Sequence, residues 1–166
     1  MYNAIDVANY IIEKSVENQN PVSNLKLQKL LYYSQAAKLV EGNGESLFGE
    51  NISAWRYGPV VESTYHRFKT NVNSPIFEKS TNDSLFNVEE IKEYNLKKII
   101  SEEDQKIINR VVNSYKKYKP LDMVRKTHNE EPWINAYIEQ KKKFIDVSAI
   151  KEYYSKHKEL IYGLMR

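Results

Sequence analysis

The stretch Ile52-Ser-Ala-Trp-Arg-Tyr-Gly-Pro-Val60 is the most distinctive part of the chain. A second stretch with similarly rare residue types, Thr127-His-Asn-Glu-Glu-Pro-Trp133, follows later in the chain. Together the two stretches contain both tryptophans, two of the five prolines and one of the three histidines. Such a concentration of rare side chains indicates a specific built feature. The first question is whether that feature is a functional site or a signature of the fold.

Length and composition predict a single domain over residues 1–166. The chain is 41% hydrophobic and 28% charged, and its length suits one hydrophobic core. No apolar run approaches the roughly 20 residues that span a membrane, and Asp6, Asn9 and Glu13 interrupt the N-terminal stretch where a secretory signal would lie. We therefore expect a soluble, cytoplasmic protein with no membrane partner.

Composition also excludes several kinds of chemistry. The chain has no cysteine, so disulfides, thiolate nucleophiles and zinc–cysteine sites are excluded. Its histidines lack metal-ligand spacing, and no glycine-rich phosphate loop or G-x-S-x-G turn occurs. The 25 basic and 22 acidic residues give a net charge of +3, too balanced for a nucleic-acid footprint. We expect no metal, no cofactor and no nucleic-acid partner.

The helical spacing of apolar residues predicts a mainly α fold, a single compact domain of about six to seven helices. The clearest helix runs over Leu25–Glu41, with Ser23 or Asn24 as its N-cap and Gly42 as a left-handed stop. A short β-hairpin is expected within residues 46–57, and residues 71–101 form an irregular, variable excursion with brief strands. Further helices are expected over 3–18, from Pro59 to about 70, over 102–118, and from Pro120, Pro132 and about Asp146.

The second predicted helix has two polar stripes outside its leucine face. Long polar side chains on a helix usually face water. The sequence therefore predicts a solvated surface here, with a groove for a partner as the alternative. The stripes consist of Lys26, Lys29 and Tyr33 on one side and Gln28, Tyr32 and Gln35 on the other.

The Trp55 stretch has two interpretations. Trp55 and Tyr57 can seal the core where Gly58-Pro59 turns the chain, with Arg56 covering them. Alternatively, exposed Trp, Tyr and Arg favour a protein interface, because these residue types dominate binding hot spots. We expect Trp55 in the core, and both interpretations stay open for Arg56 and Tyr57.

His128 and Glu131 come nearest to catalytic chemistry. They lie three residues apart and could form an acid/base pair, with the Thr127 hydroxyl beside them. In the structural alternative, His128 lies on an apolar face with Leu121 and Val124, where a backbone carbonyl or Glu131 satisfies it. We favour the structural alternative, so the sequence predicts no catalytic residues and a protein that is not an enzyme.

Several motifs along the chain together resemble the Panacea domain family, which includes the phage-associated GepA-like proteins and the SocA-type antitoxins. The resemblance runs in order over about residues 4–137. The motifs are Lys26-Leu-Gln-Lys-Leu-Leu-Tyr-Tyr-Ser-Gln-Ala36, Leu47-Phe48, Ile52-Ser-Ala-Trp-Arg-Tyr-Gly-Pro-Val60, Tyr65, Phe68-Lys69, and Leu121 through Thr127-His128, Glu131 and Pro132-Trp133.

The resemblance implies the antitoxin of a two-gene toxin-antitoxin system, which neutralises a cognate toxin protein by direct binding. For SocA-type members it implies a proteolytic adaptor that delivers the toxin to a AAA+ protease, and a small enzyme centred on His128 and Glu131 is a further alternative. The family-motif residues, which are also candidate contacts, are Lys26, Gln28, Lys29, Tyr33, Trp55, Arg56, Tyr57, Gly58, Pro59, His128, Glu131 and Trp133.

Overall fold

The structure, a computed structural model, describes residues 1–42, 44–80, 85–87, 99–138 and 144–163. Its described part is mainly helical, as the sequence predicts. Two short 3₁₀ helices span Lys69–Asn71 and Lys158–Tyr162. The α-helices are α1 Ala4–Glu17, α2 Asn24–Glu41, α3 Glu62–Arg67, α4 Glu102–Ser114, α5 Pro120–Thr127, α6 Glu131–Ile138 and α7 Val147–Lys156. Two antiparallel hairpins pair β1 Ser53–Trp55 with β2 Gly58–Val60, and β3 Glu78–Ser80 with β4 Leu85–Asn87.

Helix α2 lies at the centre of the fold. It contacts α1, α4, α5, α7 and strand β2, and 14 of its 18 residues are buried. The prediction of a solvated polar surface on this helix is therefore wrong, because a helix surrounded on all sides has no face left for water. Its buried polar residues include Lys26, Gln28, Lys29, Tyr32, Tyr33 and Gln35.

Several buried polar side chains of α2 are satisfied by backbone groups of the surrounding loops. Gln35 accepts from the backbone N–H of Leu47 at 2.7 Å, and its amide donates to the carbonyl of Phe48 at 3.3 Å. Lys26 donates from Nζ to the carbonyl of Tyr118 at 2.7 Å. Such bonds offset the cost of burying polar groups and fix the loops on the helix.

The ends of α2 agree with the prediction, with one correction. The Ser23 side chain accepts from the N–H of Lys26, which caps the helix as expected. Gly42 ends the helix but has a φ of −102°, so the predicted left-handed conformation is wrong. Space explains the glycine instead, because a Cβ at position 42 would lie 2.6 Å from Lys38 Cδ and 2.8 Å from its carbonyl oxygen.

The predicted hairpin exists, but its strands differ from those expected. Strand β1 pairs with β2, whereas Phe48 forms an isolated parallel bridge with Tyr2. Pro59 lies inside β2, and the next helix begins at Glu62, so the prediction that Pro59 starts a helix is wrong. A two-stranded hairpin tolerates proline because its edge positions need no ladder N–H. The left-handed φ of +99° at Gly58 allows the chain to reverse there.

The excursion over residues 71–101 contains the brief strands β3 and β4, as expected. Its residues 81–84 and 88–98 lie outside the described residues. Buried apolar residues from Ala4 to Ile161 form one hydrophobic cluster, and the domain bounds 1–166 stay a prediction. Among the described residues, no helix has the length and apolar character needed to cross a membrane.

Candidate functional site

The three distinctive motifs of the sequence meet around Gly58. Gly58 has a φ of +99°, and a Cβ at this position would lie 2.6 Å from Lys29 Cε and 2.7 Å from Thr127 Oγ1. Lys29 also donates from Nζ to the carbonyl of Pro59 at 3.0 Å. Only glycine combines this backbone conformation with this clearance. It therefore allows β2 to lie directly against α2 and the end of α5.

A second connection joins the hairpin to α6. Trp133 Nε1 donates to the carbonyl of Trp55 at 3.0 Å. The Trp133 ring stacks on His128, with centroids 4.0 Å apart and planes 11° apart, and on Tyr137 at 4.6 Å. Burial lowers the pKa of His128, although a hydrogen bond to the backbone of Arg56 opposes this shift. The motif around Trp133 thus holds the β1–β2 turn in place.

The structure separates the two members of the hypothetical acid/base pair. Glu131 is exposed at the start of α6, and it shares no hydrogen bond or ion pair with His128 in the described part of the chain. His128 instead has the backbone partner that the structural alternative allowed. The buried carboxylate of this turn is that of Glu130, which is 2% exposed.

Glu130 is the centre of a buried polar cluster that the sequence analysis missed. It is ion-paired with Lys126 and accepts from the hydroxyls of Tyr33 at 2.8 Å and Tyr154 at 2.7 Å. The Tyr33 ring stacks on Tyr115 at 4.8 Å. Burial raises the pKa of Glu130, and the ion pair and both hydroxyls oppose that rise. The cluster joins α2, α4 and α7 to the α5–α6 turn. In the sequence, the only indication of this cluster is the four-residue spacing of Lys126 and Glu130, which is typical of an ion pair on one face of a helix.

The four motif residues on α2 are all buried, and they make contacts inside the fold. Gln28 shows their role. Its amide donates to Asn24 Oδ1 at 2.9 Å and Thr64 Oγ1 at 3.0 Å, and its oxygen accepts from Val61 N at 2.9 Å. The four buried motif residues of α2 are Lys26, Gln28, Lys29 and Tyr33.

Lys29 gives the stability of the protein an expected pH dependence. Burial of this side chain lowers the pKa of its ammonium group from 10.5 to about 7. Between these two values the unfolded chain binds more protons than the folded chain. The free energy of unfolding therefore rises with pH in this window, by at most about 1.4 kcal/mol per pH unit from this group.

We expect Lys29→Met to reduce that slope, as measured by urea unfolding at several pH values between about 7 and 9. Lys26 and Lys126, whose pKa values burial also lowers, are unchanged in the variant, so their contribution is common to both proteins. The matched control is Lys106→Met, because Lys106 is exposed on α4. An unchanged slope in Lys29→Met would show that Lys29 does not titrate in this window.

Two adjacent depressions flank the β1–β2 turn. The larger is a groove of about 920 Å³ between the turn, residues 72–73 and the start of α5. The smaller is a pocket of about 400 Å³ that reaches His128, Trp133 and Tyr137. The residues that line both are Arg56, Tyr57, Leu121 and Arg125. These four side chains thus form a ridge between the two depressions.

The ridge and its surroundings expose large side chains. Tyr57 is 56% exposed, Leu121 57% and Tyr137 40%. Trp55 is half-buried, lines the larger groove and meets the Tyr65 ring edge-on at 4.8 Å. The expectation that Trp55 lies in the core is therefore wrong, because a three-residue strand at the molecular surface places it at the groove. We call Trp55, Arg56, Tyr57, Leu121, Arg125 and Tyr137 the tip surface.

Comparison with known proteins identifies the family. The family model described as "Antitoxin SocA-like, Panacea domain" matches residues 27–134. The chain belongs to the Panacea family. The antitoxin SocA of Caulobacter vibrioides (strain NA1000 / CB15N) is 40% identical over 65 residues, which are 39% of this chain and 34% of that antitoxin. The match thus spans about a third of the relative's length. No solved structure matches the chain.

The part of the chain matched to the Panacea family covers the features around the turn. Residues 27–134 include most of α2, the β1–β2 hairpin, α5 and the start of α6. Gly58 and its neighbours Lys29 and Thr127 lie inside this range, as do Trp55 and Trp133. These residues contact one another in space and hold the β1–β2 turn at the surface of the domain.

Proposed function

We propose that this Panacea protein is an antitoxin that neutralises a cognate toxin protein by direct binding, with the tip surface as its contact. The observation that carries the proposal is the exposure of Arg56 and Tyr57 at the one turn on which the Panacea motifs converge. The buried motif residues around this turn hold it in place. The turn is therefore presented rigidly to a partner.

The composition of the tip surface supports a protein partner. Trp, Tyr and Arg are enriched in binding hot spots, and large apolar side chains exposed together mark interaction sites. A rigid turn loses little conformational entropy on binding, which favours affinity. Arg56 also lies over the Tyr57 ring, with its guanidinium carbon 5.7 Å from the ring centroid. The two side chains can thus enter an interface as one unit.

The proposed function is non-enzymatic. Its support is that several polar residues around the turn have structural partners: Lys29 binds the Pro59 carbonyl, Trp133 the Trp55 carbonyl, and Glu130 the Lys126 ammonium group. These contacts stabilise the fold, so the positions of these residues are explained without a catalytic role. Capture of the toxin is then the activity itself, and delivery to a AAA+ protease is a later fate that capture permits.

We expect the product of the neighbouring gene to arrest growth when it is expressed alone, and co-expression of this protein to restore growth. The two proteins should also co-purify through a tag on either partner. A neighbouring product that is harmless, or that arrests growth but forms no complex with this protein, would contradict the proposal. The half-life of the toxin with and without this protein then distinguishes masking, which leaves it unchanged, from delivery to a protease, which shortens it.

A further inference from the structure

The floor of the larger groove is apolar and aromatic. Trp55 and Tyr65 meet edge-on there at 4.8 Å, and aliphatic side chains extend the surface on either side of them. Trp55, Tyr65 and Val72 are only partly buried, so part of their apolar surface remains in contact with water. Covering it with apolar side chains of a partner is favourable. The aliphatic members of the lining are Leu25, Val60, Val72 and Leu121.

The rim of the same groove carries an excess of positive charge. Its charged lining residues are Arg56, Lys119 and Arg125 against Asp122. Arg125 is ion-paired with Asp122 at 3.1 Å, whereas Arg56 and Lys119 form no ion pair within the described residues. Two unmatched cations therefore border an apolar floor, on a chain whose total charge is only +3.

We propose that this groove binds a segment of the toxin in which acidic side chains accompany apolar ones. The proposal rests on the antitoxin function and adds the chemistry of the partner. Carboxylates of the segment meet Arg56 and Lys119, and its apolar side chains cover Trp55 and Tyr65. Complementary charge at a rim steers association and selects the partner, and apolar contacts in the floor supply most of the affinity.

A protein segment fits this groove better than a single-stranded nucleic acid, which also uses aromatic and cationic side chains. The Asp122 carboxylate stands on the rim of the groove. It also neutralises Arg125 through their ion pair, which leaves too little positive charge to follow a phosphate backbone over several nucleotides. The test nevertheless includes a nucleic-acid probe, because tighter binding of nucleic acid would contradict the proposal.

The test uses three fluorescein-labelled probes and fluorescence anisotropy with the full chain. The first is a peptide of about 12 residues that alternates Asp or Glu with Phe or Leu and spans at most about 40 Å when extended. The second has Lys in place of every Asp and Glu, and the third is a single-stranded uridine oligonucleotide. We expect the acidic peptide to bind at least about tenfold more tightly than either other probe, and to weaken as salt is added.

The variant for this test is Arg56→Glu combined with Lys119→Glu, and the matched control is Lys106→Glu, which changes an exposed charge on α4. We expect the double variant to lose at least about tenfold in affinity for the acidic peptide and the control to keep it. Equal binding of both peptides, tighter binding of the oligonucleotide, or an equal loss in the control would overturn the proposal. Melting temperatures near that of the unmodified chain verify that each variant is folded.

The same variants distinguish failure of this inference from failure of the antitoxin function. If the neighbouring toxin is neutralised equally well by the unmodified chain and by the Arg56→Glu, Lys119→Glu variant, the antitoxin function holds and the groove proposal is overturned. If the acidic peptide binds as expected but the neighbouring product is harmless, the chemistry of the groove holds and its assignment to a toxin is overturned.

Discussion

Glu130→Ala is expected to lower the free energy of unfolding by about 3–5 kcal/mol, the usual effect of removing one partner of a buried ion pair. Glu130 is 2% exposed and Lys126 4% exposed. The substitution leaves the Lys126 ammonium group buried without its carboxylate, and it removes the acceptor of the Tyr33 and Tyr154 hydroxyls. Denaturant unfolding followed by circular dichroism measures the loss.

Glu131→Ala is the matched control, because it removes the same side chain one residue later from an exposed position. We expect it to cost less than about 1 kcal/mol, mostly through its place in the first turn of α6. Glu130→Gln should fall between the two, since the amide oxygen still accepts hydrogen bonds but carries no charge. Similar losses in Glu130→Ala and Glu131→Ala would contradict the assignment of Glu130 to the buried cluster.

Arg56→Glu combined with Tyr57→Ala is expected to weaken toxin binding at least about 100-fold, which is the effect of losing two hot-spot residues. Both side chains are exposed, so the melting temperature should stay near that of the unmodified chain. Cells that co-express the toxin and this variant should stop growing, whereas cells with the Lys106→Glu control should recover. Full recovery with the variant would show that the toxin binds elsewhere.

The helices were largely predictable from the sequence because their signals are local. Ser23 and the apolar spacing after it indicated the start of α2, and the structure begins that helix at Asn24. The surroundings of α2 were not predictable. Gln35 and Lys26 resemble surface residues in a one-dimensional pattern, and their partners are backbone groups outside the helix, 12 residues away for Gln35 and 92 for Lys26. Only the assembled fold brings those groups together.

The candidate site was only partly predictable from the sequence, which did not single out Leu121, Arg125, Tyr137 or Glu130 as site residues. The sequence pointed to the stretch around Trp55 and to His128, and both lie at the β1–β2 turn. The sequence analysis chose Glu131 instead of Glu130. The two neighbouring carboxylates look alike in the sequence, and only the structure shows which of them the start of α6 directs into the fold. The sequence placed Trp55 in the core because burial depends on what covers a residue, and at this position the groove leaves the ring partly uncovered.

Isothermal titration of the purified toxin into this protein and into the Arg56→Glu, Tyr57→Ala variant tests the central claim most directly. Direct neutralisation through the tip surface predicts a saturable complex with the unmodified chain and a dissociation constant at least about 100-fold larger for the variant, at matched melting temperatures. No binding to the unmodified chain, or equal dissociation constants for the two proteins, would contradict it.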